Sequence, residues 1–195
     1  MSTFSKVKSI ITYPFRIIIF CYYKQKYGKF GVNSYIKSPL RIDCPKNIHI
    51  GSNVFVGYKS WLAAVPLTPQ KPKLIIEDGC VLGNFNHIYA TGPIIIHKNV
   101  LTADKVYISD NMHNYEDINI PIMDQKIVPN GVVEIGEGSW LGENVCILGA
   151  KIGKHCIVGS NSVVTSDIPD FSVVVGAPAK VIKKYDLKVN TWVKV

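Results

Sequence analysis

A hexapeptide repeat restricts the folds open to this chain more strongly than any other feature. From Val133 the sequence reads VVEIGEGSWLGENVCILGAKIGKHCIVGSNSVV, in which aliphatic residues recur at intervals of six, with one interval of five. These residues are Ile135, Leu141, Ile147, Ile152, Val158 and Val164. The residues two positions before them are small or branched, namely Val133, Ser139, Val145, Ala150, Cys156 and Ser162. The same register occurs upstream at Ile50, Val56, Leu62, Ile76, Leu82, Ile88, Ile96, Thr102 and Ile108.

This spacing favours a coil of three short strands over a helix or a β-sandwich. An amphipathic helix repeats every 3.6 residues and a strand every two, so neither places an aliphatic residue at each sixth position. Strands of a sandwich recur at a variable spacing of about 8–12 residues. Three hexapeptides can instead form the three faces of a triangular prism, and successive coils then stack about 4.8 Å apart. The fifteen inward positions predict five coils, with 36–44 as a candidate partial coil.

Stacked coils also account for the composition. Hydrophobic residues make up 47% of the 195 residues and charged residues only 18%, whereas a mainly helical protein needs a charged surface on its helices. A coil that buries an aliphatic side chain on every face and carries Gly, Asn and Ser in its turns needs few charges. The predicted fold class is therefore all-β.

The sequence resembles the bacterial hexapeptide-repeat acyltransferases over about residues 48–184, and GAPAKVIK near its end is part of the most specific match. Within that family it is most similar to the sugar and polysaccharide O-acetyltransferases of the galactoside, maltose, capsule and colanic acid types. The resemblance implies a left-handed parallel β-helix and a homotrimer with active sites between subunits. The sequence divides into an N-terminal helical segment at 1–35, the β-helix at 36–178 and a C-terminal tail at 179–195.

The charge distribution indicates which partners the two ends would bind. The formal net charge is +8, and the lysines concentrate in the N-terminal segment and after Pro178. Basic and aromatic residues do not alternate along one face, which disfavours nucleic acid. The N-terminal segment either lies on an anionic membrane or caps the open end of the prism. The tail alternates apolar residues up to Trp192 and predicts a hairpin or edge strand.

The cysteine pattern and the N-terminus indicate the compartment. Five cysteines without a CxxC pair, and no cleavable signal after Met1, predict reduced thiols in the cytoplasm, where the chain would lie free or at the inner face of the membrane.

Two segments interrupt the repeat, at 63–73 and 109–131, and long excursions of this kind are usually functional. The second predicts an active-site loop, because it begins with SDNMHNYED and contains His113. Transfer of an acetyl group to a hydroxyl requires a base, and histidine suits that role near neutral pH. The other four histidines lie within the repeat. The resemblance also places His113 at the position of the family's base, with Asn111 where many relatives have a second histidine. Asp110, Glu116, Asp117, a backbone carbonyl or a neighbouring subunit could orient its ring.

Further site residues follow from the resemblance alone. It implies that acetyl-CoA contacts Glu143, Ser160, Thr165, Ser166 and Lys183. Ser166 departs from the family's pattern, in which a lysine often follows the threonine, and neighbouring lysines could replace that phosphate contact. Asn84 matches a position that holds the acceptor sugar, although an asparagine in a turn also tolerates a left-handed conformation. Independently of the resemblance, Trp140 either packs beside the groove, which is the favoured expectation, or covers the face of the coil.

These features predict an O-acetyltransferase that moves an acetyl group from acetyl-CoA to a hydroxyl of a cell-surface polysaccharide or its precursor. Transfer would be direct, with His113 as general base and no acyl-enzyme. N-acetylation of an amino sugar nucleotide is the alternative, because both reactions need one base and one thioester. A zinc carbonic anhydrase on the same prism would need a partner histidine where Ile118 stands, and no metal is expected. A binding scaffold without catalysis would not need His113.

Overall fold

The computed structural model describes residues 13–195, which form one α-helix, α1 (Tyr13–Lys26), and a succession of short strands. The strands wind around a triangular prism, and each face of the prism is a parallel sheet. Face A contains β1 (Lys29–Phe30), β4 (Ile48–Ile50), β7 (Lys73–Ile76), β10 (Pro93–Ile96), β15 (Val133–Ile135) and β18 (Lys151–Ile152). Face B contains β2 (Tyr35–Ile36), β5 (Phe55–Val56), β8 (Val81–Leu82), β11 (Leu101–Thr102), β16 (Trp140–Leu141), β19 (Ile157–Val158) and β21 (Ser172–Gly176). Face C contains β3 (Arg41–Asp43), β6 (Trp61–Ala64), β9 (His87–Ala90), β12 (Tyr107–Ser109), β17 (Cys146–Leu148) and β20 (Val163–Val164).

The interior of the prism confirms the repeat. All fifteen predicted inward residues are buried, with at most 2% of their surface exposed. They align coil upon coil, as Ile96 does with Ile135 and Ile108 with Ile147. Each inner strand is therefore paired on both sides, by the coil before it and the coil after it. The predicted fold class, a left-handed parallel β-helix with an N-terminal helix and a C-terminal tail, is therefore confirmed.

The number of coils differs from the prediction of five. Six complete coils are present in the described residues 13–195, and the first begins at Lys29 rather than near residue 36. Its inward residues Phe30, Ile36 and Ile42 pair in register with the second coil. These residues keep the spacing of six, but the first of them is aromatic rather than aliphatic. The ring of Phe30 packs against Tyr23 and Tyr27, which take the place of a preceding coil.

The turns of successive coils stack into three columns, which we call the AB, BC and CA corners after the faces that they join. At the AB corner one residue of each turn has a positive φ, between 51° and 74°. In chain order these residues are Asn33, Asn53, Gly79, Asn99, Gly138, His155 and Phe171. Glycine and asparagine adopt this left-handed conformation readily, whereas most side chains make it costly.

Helix α1 ends against the open N-terminal end of the prism. Phe20 and Tyr23 pack on the core beside the buried residues Tyr27 and Phe30. The rings of Tyr23 and Phe30 lie 4.9 Å apart between centroids. The described end of the helix therefore has the capping role, which was one of the two alternatives for this segment. Within residues 13–195, no helix combines the length and apolar character that crossing a bilayer requires.

The C-terminal tail closes the other end. β21 pairs in antiparallel fashion with β22 (Ala179–Asp186), and β22 pairs with β23 (Thr191–Lys194). The predicted hairpin is thus present, with its turn at 187–190. Leu187 and Val189, which looked like alternating strand residues in the sequence, lie in that turn and are largely exposed.

Candidate active site

The excursion after β12 forms a hairpin at the CA corner. β13 (Asn111–His113) pairs in antiparallel fashion with β14 (Ile127–Pro129), and His113 lies opposite Ile127. The imidazole of His113 is exposed. The segment predicted as a loop is thus partly ordered by its own backbone hydrogen bonds, which hold a histidine outward from the coil stack.

A buried carboxylate anchors the base of this hairpin. Asp110 is 1% exposed, and its carboxylate accepts hydrogen bonds from the backbone N–H of Thr91 at 2.8 Å and of Gly92 at 2.6 Å. The hydroxyl of Thr91 and the side-chain amide of Asn111 also donate to it. Charge-assisted bonds are among the stronger ones in proteins. Asp110 therefore fixes the hairpin to the preceding coil.

This arrangement changes the roles expected of the residues around His113. Asp110 was a candidate for orienting the imidazole, but its carboxylate faces the turn before β10. Asn111 also donates to the carbonyl of Tyr89 at 3.2 Å, so its side chain holds the base of the hairpin. Among the described residues, the His113 ring has no hydrogen-bond partner.

The surroundings of His113 bear on the kind of chemistry it can perform. In the part of the chain described here, no serine or cysteine side chain is hydrogen-bonded to its ring, as a nucleophile activated by histidine would be. The nearby Ser109 hydroxyl donates instead to the carbonyl of Asn111 at 3.1 Å. An exposed imidazole without a neighbouring nucleophile is suited to take a proton from a bound hydroxyl.

Asn84 lies at the BC corner, where its side chain is part of the coil. Its amide nitrogen donates to both carboxylate oxygens of Asp104 at 3.1 and 3.2 Å. Its amide oxygen accepts the backbone N–H of Tyr58 at 2.9 Å. Asn84 thus links three successive coils, which is a structural role, and contact with an acceptor sugar stays a prediction.

The residues expected to contact acetyl-CoA fall into three places. Glu143 and Ser160 follow β16 and β19 and lie one coil apart at the BC corner, where Glu143 pairs with Lys105 at 3.1 Å. Thr165 and Ser166 follow β20 and are exposed at the CA corner, the corner of His113. Lys183 lies on β22, beyond face B. One chain therefore places Glu143 and Ser160 at one edge of face C and His113 with Thr165 and Ser166 at the other edge. Lys183 lies apart from both edges.

Between those edges lies an aromatic cluster that the sequence analysis missed. The rings of Trp61 and His87 stack 4.1 Å apart, inclined by 9°, and Tyr107 lies on the next coil, 5.1 Å from His87. The indole N–H donates to Asp43 at 2.8 Å. Burial lowers the pKa of His87, and Nε2 of its ring is buried without a partner among residues 13–195. The signal was the recurrence of ring residues at the same position of successive coils.

Trp140 is 46% exposed on the outer surface of face B, between Leu101 and Ile157. Within one chain, Trp140 therefore covers the outer surface of face B, and its packing beside a groove stays a prediction. Within residues 13–195, no group of three or more His, Cys, Asp or Glu side chains is arranged to hold a metal ion.

Sequence comparison finds similar proteins that are named as acetyltransferases. A family model described as the hexapeptide repeat of succinyl-transferase matches residues 132–166. A probable acetyltransferase of Mycobacterium tuberculosis is 41% identical over 141 residues, which are 72% of this chain but only 45% of that protein. The chain thus spans less than half the length of this relative. A putative lipopolysaccharide biosynthesis O-acetyltransferase of Escherichia coli is 34% identical over 167 residues, 82% of this chain and 83% of that protein.

Solved structures share the architecture. The N-acyltransferase AntD of Bacillus cereus, solved as a point mutant in complex with dTDP and coenzyme A, superimposes with a TM-score of 0.70 over 93% of this chain and 92% of its own. At 19% identity this likeness establishes the fold alone. A maltose O-acetyltransferase from Clostridium difficile gives a TM-score of 0.54 at 27% identity, over 91% of this chain and 80% of its own.

Proposed function

Because this chain belongs to the hexapeptide-repeat acyltransferase family, we propose that it is an O-acetyltransferase that uses acetyl-CoA to acetylate a sugar hydroxyl. The acceptor would be a cell-surface polysaccharide or its precursor. The observation that carries the proposal is His113, an exposed imidazole on a hairpin that the buried Asp110 anchors. The named O-acetyltransferases among the similar proteins support the choice of a hydroxyl acceptor.

The proposed reaction is a direct transfer. His113 takes the proton from the sugar hydroxyl while the hydroxyl oxygen forms a bond to the acetyl carbonyl carbon. The carbon–sulfur bond of acetyl-CoA then breaks, and the leaving thiolate takes the proton from the imidazolium. General base catalysis of this kind contributes about 10²–10⁴-fold to a rate. No acetylated side chain occurs on this path.

Acetyl-CoA would lie along the last coils. Glu143, Ser160, Thr165 and Ser166 are exposed polar residues at two corners of these coils, and Lys183 belongs to the C-terminal hairpin. That hairpin carries five lysines, Lys180, Lys183, Lys184, Lys188 and Lys194, against one acid, Asp186. Such an excess of positive charge suits a ligand with several phosphates.

The site would be completed by a second copy. Since Glu143 and Ser160 lie on one edge of face C and His113 on the other, a single chain cannot surround one acetyl group with all of them. In a homotrimer, the CA corner of one copy can face the BC corner of the next. Closed cyclic symmetry repeats such a contact three times.

Mixing two inactive variants tests this arrangement. His113→Ala removes the base at the CA corner, and Ser160→Trp fills the BC corner with a bulky side chain. If each site takes one corner from each of two copies, random mixed trimers regain about a quarter of the wild-type activity. A mixture as inactive as its parents would mean that each chain forms its own site.

N-acetylation of an amino sugar nucleotide remains the alternative reaction, and the acceptor decides between the two. Radiolabelled acetyl-CoA is supplied together with acetyl-free polysaccharide repeats or with UDP-amino sugars, and the products are treated with mild alkali. An O-acetyl ester is cleaved by alkali whereas an amide resists. We expect alkali-labile label on the polysaccharide, and alkali-resistant label on the amino sugar would overturn the proposal.

A further inference from the structure

A small aromatic cavity lies at the AB corner, near the C-terminal end of the stack and away from the His113 hairpin. It has a volume of about 240 Å³ and is lined by His155, Phe171, Tyr185, Leu187 and Trp192. His155 and Phe171 come from successive turns, and the other three come from the C-terminal hairpin. The cavity is smaller than the pockets of about 300–1,000 Å³ that hold drug-sized ligands. It has room for one small ring.

The residue type at the left-handed position of the AB corner changes at this cavity, although the backbone conformation is the same. The five preceding turns use asparagine or glycine there, whereas the last two use His155 at φ 51° and Phe171 at φ 55°. A left-handed conformation costs an ordinary side chain roughly 1–2 kcal/mol; histidine adopts it more often than most residues, but for a bulky residue such as phenylalanine it is an outlier. Strained backbone that persists in a structure is a reason to look for a function. At this cavity the strained position is Phe171, whose ring centroid lies 6.3 Å from that of His155.

The polar groups of the cavity are open to solvent and to a ligand. Within residues 13–195, the ring nitrogens of His155, the hydroxyl of Tyr185 and the indole N–H of Trp192 have no hydrogen-bond partner in the protein. Tyr185 and Trp192 meet edge to face, 5.4 Å apart. The lining therefore combines apolar ring surfaces with hydrogen-bonding groups at their tips.

We infer that this cavity binds one neutral sugar unit of the acceptor chain, outside the site of acetyl transfer. A pyranose ring has apolar C–H faces that pack on aromatic rings and a rim of hydroxyls that bond to ring N–H and O–H groups. Of the residues that the structure describes, no lysine or arginine lines the cavity, which disfavours a nucleotide or another phosphate ligand. The choice of a sugar rests on the proposed function, because that function makes a polysaccharide the acceptor.

The position of the cavity suits a chain rather than a single sugar. The His113 hairpin leaves the stack between β12 and β15, while His155 lies one coil beyond β15, at another corner. Face A separates the two corners, so one monosaccharide cannot reach both places. A polysaccharide held in the cavity by one unit would present other units to a transfer site.

The fluorescence of Trp192 tests the inference without any acetyl transfer. Trp61 and Trp140 are replaced by phenylalanine so that Trp192 is the one remaining tryptophan. Glucose, galactose, rhamnose, N-acetylglucosamine and maltohexaose are titrated into this protein, and coenzyme A is titrated separately. We expect a saturable change in Trp192 emission with at least one sugar, undisturbed by saturating coenzyme A.

His155→Asn is the informative variant because asparagine occupies the same position in three earlier turns. We expect it to keep or raise the melting temperature and to weaken sugar binding by about tenfold, since it removes one ring from the cavity. Phe85→Asn is the matched control. Phe85 has a similar φ of 56° but lies at the BC corner, so its replacement should leave the sugar response of Trp192 unchanged.

Three results would overturn the inference. If no sugar of the panel changes Trp192 emission, or if His155→Asn responds like its parent, the cavity is no sugar site. If coenzyme A alone gives the saturable change, the cavity belongs to the nucleotide. All three results concern binding only, so they are distinguishable from a failure of the proposed function, which appears as missing acetyl transfer.

Discussion

Replacement of Asp110 by asparagine should loosen the hairpin that carries His113, and the size of the effect can be worked from its hydrogen bonds. The carboxylate accepts bonds from Thr91, Gly92 and Asn111. An asparagine can keep the hydrogen bonds from Thr91 and Asn111, which its single side-chain oxygen accepts. Its NH₂ group then replaces the oxygen that accepts the Gly92 N–H at 2.6 Å, so two donors face each other. One charge-assisted bond is lost and a buried donor is left unpaired, which together costs about 3 kcal/mol.

Thermal unfolding and hydrogen exchange measure this effect. In a domain of this size, about 3 kcal/mol lowers the melting temperature by roughly 6–12 °C. The backbone N–H of Asn130, which donates to the Asp110 carbonyl at 2.7 Å, should exchange faster in the variant. Glu116→Gln is the control, because Glu116 is an exposed acid on the same hairpin and its loss should matter little. If Asp110→Asn melts within about 1 °C of wild type, the buried carboxylate does not anchor the hairpin.

Three further predictions concern the coil. Lys59→Asn should stabilise the protein by about 1 kcal/mol in urea unfolding, because Lys59 has a φ of 54° that asparagine tolerates better; a loss of stability would contradict this. Ile108→Ala should cost about 2–5 kcal/mol, since the side chain is fully buried, and a cost below about 1 kcal/mol would mean that the coil repacks. Burial lowers the pKa of His87, so below pH about 6.5 the unfolded chain binds a proton that the folded one does not. The free energy of unfolding should therefore fall on acidification from neutral pH, and it should fall less in His87→Gln. An equal dependence on pH in the wild type and in His87→Gln would refute the assignment of this effect to His87.

The interior of the fold was predictable from the sequence because each inward residue repeats at a fixed interval. Ile50 and Val164 lie more than a hundred residues apart, yet the same period identifies both, and both are buried. The inward residues can be identified from this period without knowing which strands pair. The prediction missed the first coil, where Phe30 fills the inward position with a ring, and the partial coil after β20, where Ile168 and Val174 continue the inward columns of Ile152 and Val158.

The details of the candidate site were less predictable because they depend on contacts between coils. Asp110 looked like a partner for His113 in sequence, but its carboxylate turns toward Thr91, nineteen residues away. The stack of Trp61 on His87 likewise joins residues of different coils. Which side chains meet depends on the length of each turn and excursion, and a repeat pattern alone does not determine that.

The rate of acetyl transfer by His113→Ala tests the central claim most directly. Labelled acetyl-CoA and the acetyl-free polysaccharide are supplied to the wild type, to His113→Ala and to His49→Gln, whose altered residue lies on face A. We expect the transfer rate to fall by about 10²–10⁴-fold in His113→Ala and to stay at the wild-type value in His49→Gln. Transfer by His113→Ala at the wild-type rate would contradict the account, because another group would then remove the proton.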